Sequence, residues 1–134
     1  MISLSIDDYD LKVPSVVTVG TFDGIHLGHQ KLINKVSQIS KAENLKSIIL
    51  SFYPHPKIIL NNNPEISLIN TLDEKKEILK KFDIDFFVLK KFTKDFSRLS
   101  PLEFVQDILI NKLNVKHIVI GYDHHFGRNR DASV

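Results

Sequence analysis

Four short apolar runs, Val16–Val19, Ser47–Phe52, Asp85–Leu89 and His117–Ile120, are separated from one another by segments of helical character. Each run is rich in β-branched or aromatic residues with no polar alternation. Both faces of such a strand are buried, as in a parallel sheet covered by helices on each side. From Gly28 to about Glu43, Leu32, Ile33, Val36 and Ile39 recur at helical spacing. Thr71-Leu72-Asp73-Glu74 is a capping box that opens a helix to about Phe82. Ser100-Pro101-Leu102-Glu103 is another, with proline at the first helical position, and its helix runs to about Leu113. Right-handed crossovers then give an α/β fold, a doubly wound (Rossmann-like) parallel sheet, in which ligands bind beyond the carboxyl ends of the strands. The stretch 57–70 fits neither element; its Asn62, Asn63 and Pro64 suggest a turn between two short extended pieces.

Composition removes several function classes. The 134 residues are 43% apolar and 25% charged, which is a folded composition, and they include no cysteine. Disulfides, thiolate zinc sites and cysteine nucleophiles are therefore excluded. The net charge of +2 gives no reason to expect nucleic acid or an anionic membrane as a partner. No apolar run approaches the ~20 residues of a membrane span. The start, MISLSIDDYD, has neither the basic region nor the apolar core of a signal peptide, so a cytoplasmic location is expected.

The segments after the four strands hold five of the six histidines: His26, His29, His55, His124 and His125. The first segment, Gly20-Thr21-Phe22-Asp23-Gly24-Ile25-His26-Leu27-Gly28-His29, is the most specific. Its glycines permit a tight turn and close approach of a ligand. Its end opens a helix, whose N-terminus offers free N–H groups and partial positive charge to a phosphate. His26 and His29 fall three apart across that helix start, and imidazole N–H groups suit the charge that grows in phosphoryl or nucleotidyl transfer. Neither GxxxxGK[ST] nor GxGxxG is present. The proline-flanked His55 is equally a rigid loop residue or a ligand contact. Asp123, His124 and His125 read as a solvated loop or a site wall. Lys90, Lys91 and Lys94 read as a solvated face before ligand contacts. Phe82, Phe86 and Phe87 read as core, whereas Phe52, Phe92, Phe96 and Phe126 lie near enough to strand ends to touch a ring-shaped ligand. Asp7, Asp8 and Tyr9 carry no motif.

VGTFDGIHLGH resembles the HxGH signature of the nucleotidyltransferase superfamily. In its G-T-F-D-G-x-H-x-G-H form it is similar to the FMN adenylyltransferase (FAD synthetase) module of bacterial bifunctional riboflavin kinase/FMN adenylyltransferases. SFYPHP is similar to that family's T-F-x-P-H-P segment and IGYDHHFGRNR to its G-x-D/N-F-x-F-G-x-x-R segment, in the same order along the chain. The resemblance implies that His26 and His29 bind the ATP phosphates and stabilise the transition state. Gly20, Thr21, Phe22, Asp23, Gly24 and Gly28 would shape the phosphate- and adenosine-binding turn. Phe52, Pro54, His55 and Pro56 would form the flavin-side wall, with Asn62 in a flap beside it. Asp123, Phe126 and Gly127 would line the cleft where flavin and nucleotide meet. It also implies ATP and FMN as substrates, with Mg²⁺ expected on the phosphates, held largely by substrate oxygens and one or two polar residues; no residue is assigned as a metal ligand. Two departures stand out: His124 replaces the family's aromatic, and the family's later I-S-S-T-x-x-R motif and riboflavin kinase barrel are not in the sequence. Residues 1–134 are therefore expected to be an incomplete FMN adenylyltransferase domain, a nucleotidyltransferase fold truncated at its C-terminus.

Three other readings remain open on the residues alone. One is a cytidylyltransferase or other small-molecule nucleotidyltransferase, against which the PHP and GYDHHFG segments weigh. Another is a nucleotide- or flavin-binding fragment without turnover. The third, a metal site from His26, His29, Asp123, His124 and His125, lacks any HExxH-like spacing.

Overall fold

A computed structural model of the chain describes residues 1–22, 27–54, 56, 71–121, 125–126 and 132–133. In chain order these form β1 (Ile2–Ser5), a 3₁₀ turn (Ile6–Asp8), β2 (Ser15–Val19), α1 (Leu27–Glu43), β3 (Lys46–Tyr53), α2 (Leu72–Leu79) and β4 (Phe86–Lys91). There follow α3 (Lys94–Ser97), α4 (Pro101–Glu103, continued as a π-helix over Phe104–Ile110), β5 (Val115–Val119), and the short strands β6 (His125–Phe126) and β7 (Ala132–Ser133). Strands β1 to β5 make one sheet in the order β1-β4-β3-β2-β5, and every pairing in it is parallel. β6 and β7 pair antiparallel as a separate ribbon.

Alternate residues of the central strands feed two cores, one on each face of the sheet. Val17, Val19, Ile48, Leu50, Phe86 and Val88 point to the face covered by Phe104, Leu109 and Leu113. Val16, Ile49 and Phe87 point to the other face, where Ile33 and Val36 of α1 and Leu79 of α2 pack. The expected doubly wound α/β architecture is thus present, with helices on both faces.

Both capping boxes form. The Thr71 hydroxyl accepts from Glu74 N–H at 3.2 Å while Thr71 N–H donates to the Glu74 carboxylate at 2.9 Å. Ser100 and Glu103 exchange the equivalent pair at 3.1 and 3.0 Å. α2 ends at Leu79 rather than Phe82, because Lys81 and Phe82 N–H groups donate to the carbonyls three residues back and tighten the last turn. The last helix is π-wound through Ile110, with Asn111 and Leu113 N–H groups reaching carbonyls five residues back, and does not run to Leu113. β1 is a fifth strand that the sequence reading did not include, and Asp85 lies just before β4 instead of in it. From there its carboxylate accepts from Ser47 N–H (2.9 Å) and the Ser47 hydroxyl, while Asp85 N–H donates back to Ser47 Oγ (2.7 Å). This clamp fixes the register of β3 on β4 at the amino edge.

Two hydroxyls are buried without a partner among the described residues, those of Tyr9 and Thr18. Burial, with the nearby Asp85 charge second, holds the Tyr9 phenol above its ordinary pKa. Thr18 is fully buried in β2. An orphaned buried hydroxyl costs about 1–3 kcal/mol, and valine has nearly the same shape. Thr18→Val is therefore expected to raise the urea midpoint by the equivalent of about 1 kcal/mol at unchanged m-value. A lower midpoint would show that the hydroxyl does bond in solution.

Candidate functional site

The strand order places the site. From β2 the chain steps through β3 to β4 on one side, then crosses back to lay β5 on the other side of β2. The reversal falls between β2 and β5, and in doubly wound sheets the crevice at such a point takes the ligand. The two segments richest in candidate residues leave the sheet there: the turn from β2 into α1 and the chain after β5. Gly121 runs close against α1; a Cβ on it would meet Leu32 Cδ1 at 3.1 Å.

The turn after β2 is pinned to β3. Gly20 N–H donates to the Leu50 carbonyl at 3.0 Å, and the Ser51 hydroxyl donates to the Thr21 carbonyl at 3.3 Å. Phe22 follows with φ of 54°, a left-handed conformation rarely adopted by a bulky residue, yet it is only 3% exposed. Such a conformation persists only where the surroundings over-determine it, and such outliers cluster at functional sites. Two contacts hold the ring here. A Cβ on Gly20 would come within 3.1 Å of Phe22 Cε2, and the His29 ring meets Phe22 edge-on with centroids 5.2 Å apart. His29 thus stands in the first turn of α1, half-buried against a fixed aromatic. Gly28 lies in the same turn.

At the carboxyl ends of β3 and β4, four phenylalanines interlock. Phe52 lies 5.8 Å from Phe92 and 5.7 Å from Phe96; Phe92 and Phe96 are 5.8 Å apart, and Phe104 is 6.1 Å from Phe96. Thr93 caps α3 through its hydroxyl and so presents Phe96 to the cluster. Phe92 N–H donates to the Tyr53 carbonyl at 3.0 Å, which fixes the chain after β4 to the end of β3. Pro54 follows Tyr53 through a cis peptide, and Pro56 lies two residues on. Tyr53 is 56% exposed at this rim.

Of the site residues expected from sequence, Gly20, Thr21, Phe22, Gly28, His29, Phe52, Pro54 and Pro56 fall along this one sheet edge. Phe126 belongs to β6, apart from the main sheet. Asp23, Gly24, His26, His55, Asn62, Asp123 and Gly127 lie outside the described residues, as does His124. One buried lysine was missed. Lys75, only 5% exposed, is a buried cation on the face of α2 that carries Leu72 and Leu79, a stripe visible in the sequence as positions 72, 75 and 79. Lys90 leaves the solvated face assigned to it: its ammonium lies 4.9 Å from the Phe96 ring centroid. His117, at the other end of the sheet, pairs with Glu43 at 2.9 Å. Its hydrogen bond, with Lys116 secondary, holds the Glu43 carboxyl below its usual range. A surface cavity lined by Tyr9, Lys12, Ile110 and Asn114 is likewise at the amino edge, away from the crevice.

Comparison with known proteins identifies the family of the chain. A family model for FAD synthetase matches residues 9–134. A bifunctional riboflavin kinase/FMN adenylyltransferase of Buchnera aphidicola subsp. Acyrthosiphon pisum is 42% identical over 120 residues, 90% of this chain and 38% of that protein. A FAD synthetase of Listeria monocytogenes is 37% identical over 122 residues, 90% of this chain and 48% of that protein. The chain spans less than half the length of these curated relatives. The solved structure of a protein from Streptococcus pneumoniae, called a macrolide-efflux protein, is similar with a TM-score of 0.83 at 29% identity, over 98% of this chain and 45% of that one. Among the described residues no helix is long and apolar enough to cross a membrane.

Proposed function

The chain belongs to the FAD synthetase family, and from that premise we propose that it carries the adenylyl-transfer reaction FMN + ATP → FAD + pyrophosphate. The observation that supports the reading is that a histidine-bearing helix start after β2 and an aromatic cluster after β3 and β4 both lie along the carboxyl edge of one parallel sheet. The first suits a phosphate chain and the second a flat ring.

In this reading the FMN phosphate oxygen forms a bond to the α-phosphorus of ATP as the bond to the β-phosphate oxygen breaks, and pyrophosphate leaves with that electron pair. The phosphate nucleophile is already anionic near neutral pH, its second pKa being about 6, so no strong general base is needed. Catalysis then rests on positioning and charge stabilisation. His29 and His26 donate to the non-bridging oxygens, and the backbone of Gly20, Thr21, Phe22, Asp23, Gly24 and Gly28 shapes the turn beneath them. Phe52, Pro54, His55 and Pro56 form the ring side, with Asn62, Asp123, Phe126 and Gly127 completing the cleft. Magnesium on ATP would neutralise phosphate charge, held largely by substrate oxygens and one or two polar residues. Riboflavin kinase activity would belong to the longer proteins of this family, and a cytoplasmic location suits both substrates.

The test is an assay of FAD formation from FMN and ATP with magnesium, together with titrations by FMN, riboflavin, ATP and CTP. FMN is expected to bind, and CTP is expected not to compete with ATP. Adenylylation or cytidylylation of a non-flavin acceptor such as glycerol phosphate, with FMN inert, would overturn the assignment of substrate. A variant probes the turn itself. Gly20→Ala drives a methyl group to 3.1 Å from the wedged Phe22 ring, which bears on His29. Misplacement of a catalytic group by a fraction of an ångström is expected to lower kcat about tenfold. Stability should fall by only about 1 kcal/mol, so circular dichroism separates the two effects. Wild-type turnover in this variant would show that the ring can yield without moving the histidine.

A further inference from the structure

Lys90 occupies a position that the alternation of β4 reserves for the core. Phe86 and Val88 point to the face of the sheet that carries Phe104, and Lys90 is next in that series. It is register-paired with Phe52 on β3, and register partners in a parallel pair share a face. A lysine at such a place ordinarily turns its head out to water. Here the ammonium instead lies over the Phe96 ring, 4.9 Å from its centroid, among the rings that line the carboxyl edge. No carboxylate or hydrogen-bond acceptor pairs with it among the described residues. Its ammonium carries three N–H donors with which it can meet a ligand resting on these rings.

Resting on the reading that this site takes FMN, we propose that Lys90 is a specificity-determining residue that donates to the carbonyl-bearing pyrimidine edge of the flavin ring. The placement favours the ring over the phosphate. β2 and β4 flank β3, so their ends are about 10 Å apart at two strand spacings. An acceptor whose phosphate lies at the turn between β2 and α1 therefore brings the ring, at the far end of its ribityl chain, over β3 and β4. An ammonium held by a π-face at that spot is matched to an electron-poor ring with carbonyl acceptors, and it disfavours rings that present donors or cations there.

The experiment compares the 134-residue chain with Lys90→Met and Lys90→Arg, titrating each with FMN and with riboflavin by flavin fluorescence. Loss of one charge-assisted hydrogen bond is expected to weaken both ligands alike in Lys90→Met, by about tenfold or more, with Lys90→Arg close to wild type. ATP affinity should not move. A second readout reports charge at the pyrimidine edge: flavin bound to wild type should lose its N3 proton at lower pH than free flavin, and that difference should vanish in Lys90→Met. Unchanged flavin binding in Lys90→Met, an unchanged N3 titration, or a loss confined to FMN would overturn the proposal while leaving the adenylyl-transfer reading in place. A wild-type chain that binds neither flavin would overturn both.

Discussion

Replacing His29 with alanine is expected to slow adenylyl transfer by roughly two orders of magnitude, on the order of 3 kcal/mol of transition-state stabilisation, by analogy with the loss of one oxyanion donor. The ring stands in the first turn of α1, at the positive end of the helix, and leans on Phe22. Its removal takes one ring contact from the buried Phe22 at a half-buried position, so the melting temperature should fall by a few degrees at most while the rate falls far more. The measurement is kcat for FAD formation at saturating ATP and FMN. Because the donor acts chiefly on charge that develops in the transition state, kcat should fall more than KM rises. A rate of FAD formation equal to wild type would remove His29 from the chemistry and return it to the role of a packing residue.

Phe87→Ala should have the largest effect on stability. Phe87 is fully buried in β4, flanked in register by Ile49 of β3 and Ser3 of β1, and packed in the core beneath α1 and α2. Deleting a ring at such a site costs about 3–5 kcal/mol, from lost transfer energy and the cavity left behind. That is a large share of the 5–15 kcal/mol typical of a domain. Urea unfolding followed by circular dichroism should show the loss as a lowered midpoint. A change below about 1 kcal/mol would mean that the neighbours collapse into the space.

The parts of this fold that could be read from sequence are those encoded over short distances. The capping boxes at Thr71 and Ser100 involve groups three residues apart, and both form with all four bonds. The strands β2 to β5 lie within two residues of the apolar runs, because burial on both faces leaves its mark at every position. The candidate phosphate turn could be proposed from sequence because its glycines and histidines sit in one segment. Features that depend on distant residues were not. β1 is four residues of edge strand, mostly exposed, and only its partner Phe86–Leu89, far along the chain, makes it a strand. The π-winding of Phe104–Ile110 has no counterpart in apolar spacing. Lys90 was read with Lys91 and Lys94 as one charged group, although the period of two already sets it with Phe86 and Val88. Its ring partner, Phe96, comes from a separate element.

The order of strands also sets a timetable. β2 and β3 are joined by α1 alone and can associate as soon as both exist. β1 aligns Ile2 with Phe86, and β2 aligns Ser15 with Val115, so each must wait for most of the chain to be made. At about 5–20 residues per second, the wait on a ribosome for the second neighbour of β2 is on the order of 5 to 20 seconds. Through that interval one side of a wholly buried strand faces solvent or a chaperone. The same delay falls on the crevice, because the strand that bounds its far side is the last of the sheet to arrive. A nascent chain can therefore join β2, α1 and β3 well before the crevice between β2 and β5 has its far side.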